Sequence, residues 1–340
     1  MGKIYRNILV TGGAGFIGSN FVLMLANEYP QINVINLDAL TYAGNLDNIS
    51  MLLDKKNHHF IHGNICNREL VKEILQNYEI DGIINFAAES HVDRSIKNPG
   101  IFIETNVMGT SILLDEAEKT GITRFLQVST DEVYGSLGKT GKFTEDLPLE
   151  PNSPYSASKA SADLICRAFY KTYALDIITT RCSNNYGPYQ FPEKMLPLMI
   201  NNALNDKALP VYGDGLHIRD WLYVYDHCTA IWAAFCRGKT GEIYNIGGCN
   251  EKTNLEVIIA LLECLDKPQS LISFVKDRPG HDRRYAIDAT KTMHDLDWSP
   301  SVIFQEGLEK TIDWYLTHPD WISKIISGEY KTYYKEMYNV

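Results

Sequence analysis

The first half of the chain alternates short apolar runs with longer stretches in which apolar residues recur every three or four positions. The short runs predict buried strands, and the longer spacing predicts amphipathic helices. Strands that alternate with helices predict an α/β fold of the Rossmann type, with a doubly wound parallel sheet. The predicted strands are 7–11, 33–37, 60–65, 82–86, 124–128 and 176–181, and the predicted helices are 68–78, 106–119, 158–173 and one that starts near residue 16.

The pattern changes after residue 181. Residues 184–192 are rich in turn-forming and aromatic residues and predict a loop, and 195–203 predicts a helix. Glycines in 210–219 indicate a hairpin, and the apolar run 242–246 predicts a return to the first sheet. The rest predicts a helix from residue 253, a strand near 272–275 and a helix near 308–315.

We therefore predict two domains. The first is a Rossmann domain of residues 1–181 with returning segments at about 220–248. The second is a smaller, discontinuous α/β domain of residues 182–219 and 249–340.

Composition excludes several classes of protein. A formal net charge of −10 disfavours a nucleic-acid partner, and no apolar run approaches the ~20 residues of a membrane span. The first six residues lead directly into a strand and leave no room for a signal peptide. Seven scattered cysteines without a Cys-x-x-Cys pair predict free thiols in the cytoplasm. His58, His59 and His62 are interpreted as solvated loop residues, so no metal site is predicted.

The first predicted strand ends in a glycine-rich turn in which Gly12, Gly15 and Gly18 are evenly spaced. Such a turn lets the backbone close against a pyrophosphate, although a tight turn can need glycine without any ligand. Asp38 follows the second strand, where a carboxylate accepts hydrogen bonds from an adenosine ribose and repels a 2′-phosphate. NAD is therefore favoured over NADP, whereas Asp38 by itself could be an ordinary turn or capping residue.

Tyr155 and Lys159 are four residues apart and share one face of a predicted helix. The ammonium of Lys159 would lower the pKa of the Tyr155 phenol. The phenolate could then take a proton from a substrate hydroxyl while NAD accepts the hydride. This spacing also occurs on ordinary helix faces, but after a glycine turn and repeated βα units it predicts an alcohol–carbonyl oxidoreductase.

Asp131 and Glu132 follow the fifth predicted strand. Neighbours on an extended strand face opposite ways, so only a turn lets both carboxylates face one substrate. Oxidation of a sugar alcohol makes the hydrogen on the adjacent carbon acidic. One carboxylate can remove that proton, and the other, protonated, can protonate a departing hydroxyl if the two pKa values differ. The alternative is that one residue caps a helix and the other is solvated.

These stretches resemble the extended short-chain dehydrogenase/reductase superfamily and, within it, the family of dTDP-glucose 4,6-dehydratases. The similarity extends over essentially the whole chain. The triplet Thr130-Asp131-Glu132 distinguishes dehydratases from 4-epimerases in this superfamily. The similar segments are 12–18, 38–45, 87–94, 129–135, 155–159, 184–188, 219–224 and 278–285.

The resemblance implies an NAD-dependent lyase that converts dTDP-glucose to dTDP-4-dehydro-6-deoxyglucose and water, in deoxysugar biosynthesis. Tyr155 would deprotonate the C4 hydroxyl, with Thr130 hydrogen-bonded to that oxygen and Lys159 beside the phenol. Glu132 would remove the C5 proton while Asp131 protonates the departing C6 hydroxyl. The hydride would pass from C4 to NAD and return to C6, so that NAD stays bound.

The resemblance also implies two sets of binding residues and a homodimer that pairs through the helices near 106–119 and 158–173. The NAD-binding residues would be Gly12, Gly13, Gly15, Phe16, Ile17, Gly18, Asp38, Leu40, Thr41, Asn64, Ile65, Ala87, Ala88, Ser90, Thr105, Tyr155, Lys159 and Asn185. The substrate-binding residues would be Glu89, Ser90, Thr130, Asn184, Lys194, Met195, Pro210, Tyr212, Arg219, Asn254, Arg278 and His281.

One residue departs from the family pattern. Asn64 stands where family members generally carry an aspartate that faces adenine. Since an amide oxygen can still accept a hydrogen bond from the adenine amino group, we expect a weaker or altered contact.

Three alternatives stay open. UDP-glucose or CDP-glucose could replace dTDP-glucose, because base selection depends on few contacts. A nucleotide-sugar 4-epimerase would have no use for two carboxylates after the threonine. A non-catalytic NAD-dependent regulator would not need Thr130, Asp131, Glu132, Tyr155 and Lys159 together.

Overall fold

The structure is a computed structural model that describes residues 5–277 and 281–325. Its strands are β1 Asn7–Thr11, β2 Asn33–Asp38, β3 His58–His62, β4 Gly82–Asn85, β5 Arg124–Thr130, β6 Ile177–Cys182, β7 Asn184–Tyr186, β8 Leu209–Tyr212, β9 Ile218–Tyr223, β10 Ile243–Ile246, β11 Glu251–Thr253 and β12 Ile272–Val275. Its α-helices are α1 Phe16–Glu28, α2 Arg68–Asn77, α3 Val92–Lys97, α4 Pro99–Phe102, α5 Thr110–Thr120, α6 Pro154–Tyr173, α7 Met195–Leu204, α8 Val224–Arg237, α9 Asn254–Cys264, α10 Thr290–Leu296, α11 Phe304–Thr317 and α12 Pro319–Ile325.

The main sheet has seven parallel strands in the order β10-β6-β5-β4-β1-β2-β3. Alternate residues of its strands face opposite sides, as in β1, where Ile8 and Val10 pack with α1 and α8 while Leu9 packs with α2 and α5. The predicted doubly wound sheet is confirmed, and so is the return of the chain to it at β10. All carboxyl ends of its strands therefore meet at one edge.

The other strands form two small sheets, β11-β9-β7 and β12-β8. A separate hydrophobic core lies among α7, α9 and α11, with Leu196, Leu261 and Leu308 at its centre. The predicted hairpin at 210–219 is wrong, because β8 pairs in parallel with β12 while β9 lies between β11 and β7. The chain between β8 and β9 instead bonds to the start of α9, where Leu255 N donates to Gly215 O.

Several predicted boundaries differ from the structure. The third strand is β3 rather than 60–65, and His58 on it is buried rather than solvated, with its Nδ1 3.1 Å from Leu52 O. Residues 184–192, predicted as a loop, contain β7. The helix predicted at 106–119 begins as α5 only at Thr110, because residues 106–109 belong to a π-helical turn, Ile103–Gly109, which follows α4.

Helix α6 begins four residues earlier than predicted. Ser153 caps its N-terminus by accepting a hydrogen bond from Ser156 N, and Pro154 occupies the first helical position. Tyr155 therefore lies in the first turn of the helix, where its position is fixed by the cap.

No described helix is both long enough and apolar enough to span a bilayer. All seven cysteines are free thiols. The division of the chain into two domains stays a prediction.

Candidate active site

A cleft of about 310 Å³ runs along the carboxyl edge of the main sheet. The glycine turn and Asp38 line one end of it, and Asn184, Asn185 and Lys194 line the other. Between them the ends of β4 and β5 and the first turns of α6 form the floor. In open α/β sheets, ligands bind at the edge formed by the carboxyl ends of the parallel strands, and this cleft lies at that edge.

The glycine turn brings backbone very close to backbone. Gly12 has a positive φ of 71°, and a Cβ there would lie 2.7 Å from Ala87 N on the neighbouring strand end. A Cβ at Gly18 would overlap the carbonyl oxygen of Gly12. Helix α1, all of which is described, has neither a side-chain cap at Gly15 nor an acidic residue in its first turn. Its first N–H groups are therefore available to an anionic group such as a pyrophosphate.

Asp38 ties the glycine turn to the end of β2. Its Oδ2 accepts a hydrogen bond from Ala14 N at 2.9 Å, and its Oδ1 accepts one from Leu40 N at 2.8 Å. Burial raises the pKa of this carboxyl, and the two N–H groups oppose that shift. Each carboxylate oxygen has a second lone pair. The residues present therefore fit a dinucleotide with free ribose hydroxyls.

Thr130, at the end of β5, organises the two carboxylates. Its Oγ1 accepts a hydrogen bond from Glu132 N at 3.3 Å and so caps a 3₁₀ turn, Asp131–Tyr134. This turn lets both Asp131 and Glu132 line the cleft, as predicted from their spacing. Thr130 also hydrogen-bonds the Tyr155 side chain, which brings the phenol beside the carboxylates.

Asp131 and Glu132 are in different environments. Asp131 is 2% exposed, and its Oδ2 makes no hydrogen bond to any described residue. Burial raises the pKa of Asp131 well above its ordinary value, and the Glu132 carboxylate adds to the effect. Glu132 is only half-buried. Asp131 is therefore suited to hold a proton at neutral pH, and Glu132 is suited to accept one.

The lowering of the Tyr155 pKa by Lys159 stays a prediction. Burial, and next the negative charge of Glu132, raise the pKa of Tyr155 well above its ordinary value. Lys159 Nζ instead donates to Val128 O at 2.6 Å, and burial lowers the pKa of this ammonium. Asp163, one turn further along α6, opposes that shift and also accepts a hydrogen bond from Arg181 Nε at 2.9 Å.

The far end of the cleft is built from residues after β6. Lys194 Nζ donates to Ser90 O at 3.0 Å, which joins the segment before α7 to the loop that follows β4. The Asn185 side-chain oxygen lies 2.9 Å from Nδ1 of His227, a fully buried histidine on α8. Because burial lowers the pKa of His227 to about 3, its neutral ring donates from Nδ1 to that oxygen. Asn185 is thus held in one orientation.

Most predicted site residues line this cleft, but some lie away from it. Gly13 packs against Asn36 instead, where a Cβ would overlap the Asn36 side chain. Arg278 lies outside the described residues. The other predicted residues that do not line the cleft are Leu40, Met195, Pro210, Tyr212, Arg219, Asn254 and His281.

Several of these residues lie near one another beyond the cleft. The ring of His281 stacks on that of His217 with centroids 3.8 Å apart, and Tyr212 contacts His281 edge-on at 6.2 Å. The Asp277 carboxylate bridges the two histidines, 2.7 Å from His281 Nδ1 and 3.3 Å from His217 Nε2. The spacing of the histidines in the sequence does not predict this cluster.

Tyr42 and Glu193 are two of the cleft residues that were not predicted. They hydrogen-bond each other, and Arg94 lies 3.9 Å above the Tyr42 ring and 3.2 Å from a Glu193 oxygen. Burial raises the pKa of Glu193. Tyr42 follows the predicted residue Thr41, and Glu193 precedes the predicted residue Lys194. Their place next to predicted site residues was the only sign in the sequence that they line the cleft.

A glycine turn, an acidic residue at the end of β2 and a Tyr/Lys pair in one cleft define a dinucleotide-binding protein of the short-chain dehydrogenase/reductase superfamily. The chain belongs to the GDP-mannose 4,6 dehydratase family, whose model matches residues 9–311. The resemblance noted in the sequence is thus confirmed.

Relatives and solved structures agree with this assignment. A dTDP-glucose 4,6-dehydratase from Xanthomonas campestris is 53% identical, over 95% of this chain and 97% of that protein. The crystal structure of dTDP-glucose 4,6-dehydratase from Bacillus anthracis in complex with NAD is 53% identical with a TM-score of 0.89, and covers 94% of this chain and 99% of that one. The Streptomyces venezuelae enzyme of the same name, also with NAD bound, is 48% identical with a TM-score of 0.91, over 94% and 100% of the two chains.

Proposed function

We propose that this protein converts dTDP-glucose to dTDP-4-dehydro-6-deoxyglucose and water, with NAD as a bound and regenerated cofactor. The observation that carries the proposal is the 3₁₀ turn that places Asp131 and Glu132 in one cleft with Tyr155 and Lys159. An oxidation alone needs no second acid and base, whereas an elimination of water does. The printed activity of the similar proteins supports the same reaction.

The cofactor would lie along the near end of the cleft. The N-terminus of α1 would hold its pyrophosphate, Gly12 and Gly18 would allow the close approach, and Asp38 would bind the ribose. When bound, NAD would supply a hydride acceptor for the sugar carbinol and a positive ring that favours the Tyr155 phenolate.

The residues of the chain would divide the proton transfers among them. Tyr155 would take the proton of the C4 hydroxyl, with Thr130 hydrogen-bonded beside it. Glu132, half-buried and facing the cleft, would remove the C5 proton. Asp131, whose pKa is raised by burial, would give its proton to the departing C6 hydroxyl. The buried ammonium of Lys159 would hold the geometry at the end of β5.

We also propose the predicted division of labour between the two domains. Residues 1–181 with about 220–248 would bind NAD, and 182–219 with 249–340 would bind the nucleotide sugar. The separate hydrophobic core among α7, α9 and α11 supports this division. Arg219, Asn254 and His281 would then contact the nucleotide diphosphate beyond the cleft.

A homodimer and a cytoplasmic location complete the proposal. Met108 on the π-helical turn and Leu164 on α6 are 57% and 56% exposed, and Ile103 on the same turn as Met108 is 47% exposed. A second copy packed on this surface would bury them. Sedimentation of the wild-type protein and of Leu164→Glu should give a dimer and a monomer. The free thiols support a reducing compartment.

Product analysis tests the reaction. Purified protein incubated with dTDP-glucose should give a 4-keto-6-deoxy sugar nucleotide, identified by its mass and its NMR spectrum. Parallel incubations with UDP-glucose and CDP-glucose would report base preference. Formation of dTDP-galactose without loss of water would reject the dehydratase in favour of a 4-epimerase, and absence of any product would reject both.

A further inference from the structure

Helix α12, near the end of the described chain, packs against a segment that follows β2, a 3₁₀ helix at Leu46–Leu52. The indole Nε1 of Trp321 donates a hydrogen bond to Asn48 Oδ1 at 2.7 Å, and Lys324 Nζ donates to Asp47 Oδ2 at 2.7 Å. Trp321 and Asn48 are 7% and 2% exposed, whereas both members of the ion pair are exposed. The buried bond between Trp321 and Asn48 is therefore the stronger link.

The Asn48 amide connects this bond to the glycine turn. Because an indole N–H can only donate, the amide atom that faces Trp321 must be the oxygen. The amide nitrogen donates to the carbonyl oxygen of Ala14 at 2.9 Å. A carbonyl can only accept, so both contacts require the same orientation of the amide.

Ala14 lies in the glycine turn, and both of its backbone polar groups are held. Its carbonyl oxygen accepts from the Asn48 amide and from Asn45 N at 3.0 Å, which uses both lone pairs. Its N–H donates to Asp38 Oδ2 at 2.9 Å. Since the peptide bond after Ala14 is trans and planar, a fixed carbonyl also fixes the direction of the Gly15 N–H at the start of α1. A chain of hydrogen bonds thus runs from α12 to Asp38.

We propose that Trp321 is a positioning residue for NAD that acts through Asn48 on the backbone of the glycine turn. Neither Trp321 nor Asn48 lines the cleft, so neither would contact the cofactor itself. The inference rests on the NAD dependence proposed above and goes beyond it. Helix α12 belongs to residues 249–340, which we assigned to nucleotide-sugar binding, and yet it completes the support of the cofactor site.

The physical reason is preorganisation of the turn. Without the indole N–H, the buried Asn48 oxygen has lost its donor and the amide is free to rotate. The Ala14 carbonyl then has no fixed side-chain donor, and the turn must be ordered when the dinucleotide binds. Ordering a binding loop at that moment lowers affinity.

Packing of the Trp321 ring has to be separated from its hydrogen bond. The ring also lies 5.0 Å from that of Trp314 and 6.2 Å from that of Tyr189. Trp321→Phe removes the N–H and keeps an aromatic ring. Trp314→Phe is the matched control, because it makes the same change in the same aromatic cluster, whereas the Asn48 amide bonds to Trp321 and Ala14.

A binding measurement tests the proposal. Full-length protein freed of nucleotide is titrated with NADH, and nicotinamide fluorescence gives the dissociation constant. Trp321→Phe should raise this constant about tenfold, the usual effect of leaving one buried acceptor unpaired, and Trp314→Phe should leave it unchanged. Asn48→Ala should raise it to a similar extent. The double variant of Trp321→Phe and Asn48→Ala should bind like Asn48→Ala alone, because the indole acts through the amide. Urea unfolding of each variant establishes that it is folded in the assay.

The possible outcomes separate the proposals. If folded Trp321→Phe binds NADH as tightly as wild type, the inference is overturned and the proposed NAD dependence stands. The inference is also overturned if the two increases multiply in the double variant, because Trp321 would then act by packing alone. Should Trp321→Phe not fold, Asn48→Ala decides: an unchanged constant overturns the inference and the expected increase supports it. If wild-type protein does not bind NADH, the proposed NAD dependence fails and this inference fails with it.

Discussion

The two ends of the cleft are built in different ways. The near end comes from one continuous stretch, β1 to β2, and presents backbone N–H groups fixed by a strand, a turn and a helix. The far end is assembled from segments distant in the sequence and presents long side chains. Lys194, for example, directly precedes α7 and donates to Ser90 O. Just beyond this end, Arg219 lies on β9 with its guanidinium 4.3 Å above the Tyr285 ring, and donates to Ile218 O and Asp282 O.

This difference separates two kinds of recognition. Backbone groups at the near end cannot be changed by substituting side chains. The close approach of a ligand to these groups can, however, be blocked by the single Cβ atom that replaces a glycine hydrogen. Side chains at the far end can be substituted without disturbing the main sheet. We therefore expect changes at the near end to affect folding and cofactor binding together, and changes at the far end to affect substrate binding alone.

The largest effect is expected at Gly18. A Cβ there would overlap the Gly12 carbonyl oxygen, which is backbone and cannot move aside. Gly18→Ala should lower the free energy of unfolding by ~3 kcal/mol, the usual cost of severe overpacking, and abolish NAD binding. Denaturant unfolding and the nucleotide content of purified protein measure both effects.

Gly15→Ala is the matched control for stability. Its Cβ would lie 3.4 Å from the nearest atom outside its chain neighbours, Gly12 O, so the fold should accommodate it at much lower cost. Equal losses of stability in the two variants would contradict the account of the turn.

A smaller effect is expected at Asp131, where the two ends meet. Because burial raises its folded-state pKa, its contribution to stability is present below the unfolded pKa of about 3.8 and is lost as pH rises through the folded value. Asp131→Asn cannot ionise, so it should become more stable than wild type from about pH 4 upward. The gain is ~1.4 kcal/mol for each pKa unit of the shift. Unfolding curves across pH measure it, and activity should be lost at every pH.

Asp146→Asn provides a control of opposite sign. A hydrogen bond from Thr144 lowers the pKa of this exposed carboxyl, so its contribution to stability is present above its unfolded pKa. The asparagine variant should therefore fall slightly below wild type near neutral pH. A difference between wild type and Asp131→Asn that does not vary with pH would show that Asp131 has an ordinary pKa.

The smallest effect is expected at Arg219. Arg219→Lys removes the forked pair of donors and the contact with the Tyr285 ring, so the KM for dTDP-glucose should rise about tenfold while NAD content stays the same. Arg283→Lys is the control, since Arg283 forms an exposed ion pair with Asp214. Loss of NAD from Arg219→Lys would show that the two ends are not independent.

The same contrast explains what could be predicted from the sequence. The near end follows from local patterns, because a strand, a glycine turn and a helix fix one another over short distances. The turn at Asp131 and Glu132 was likewise predictable, since two neighbouring carboxylates can share a cleft only on a turn. These features need no knowledge of distant partners.

The failures that bear on the site and on strand pairing concern distant partners. The turn residues between β8 and β9 indicate a hairpin, but β8 pairs with β12, a strand about 60 residues farther along the chain. No local sequence pattern indicates that pairing. The spacing of Tyr155 and Lys159 indicates a shared face, but it does not reveal that the ammonium bonds to Val128 O on another element. The pKa of Tyr155 depends on burial and on Glu132, which only the assembled fold determines.

A single turnover by Glu132→Gln tests the central claim most directly. With dTDP-glucose and bound NAD, this variant should show the absorbance of reduced nicotinamide, retain the C6 hydroxyl and incorporate no solvent deuterium at C5. Glu73→Gln, an exposed change on α2, should turn over like wild type. Release of the 4-keto-6-deoxy product by Glu132→Gln at the wild-type rate would contradict the account, because another group would then be removing the C5 proton.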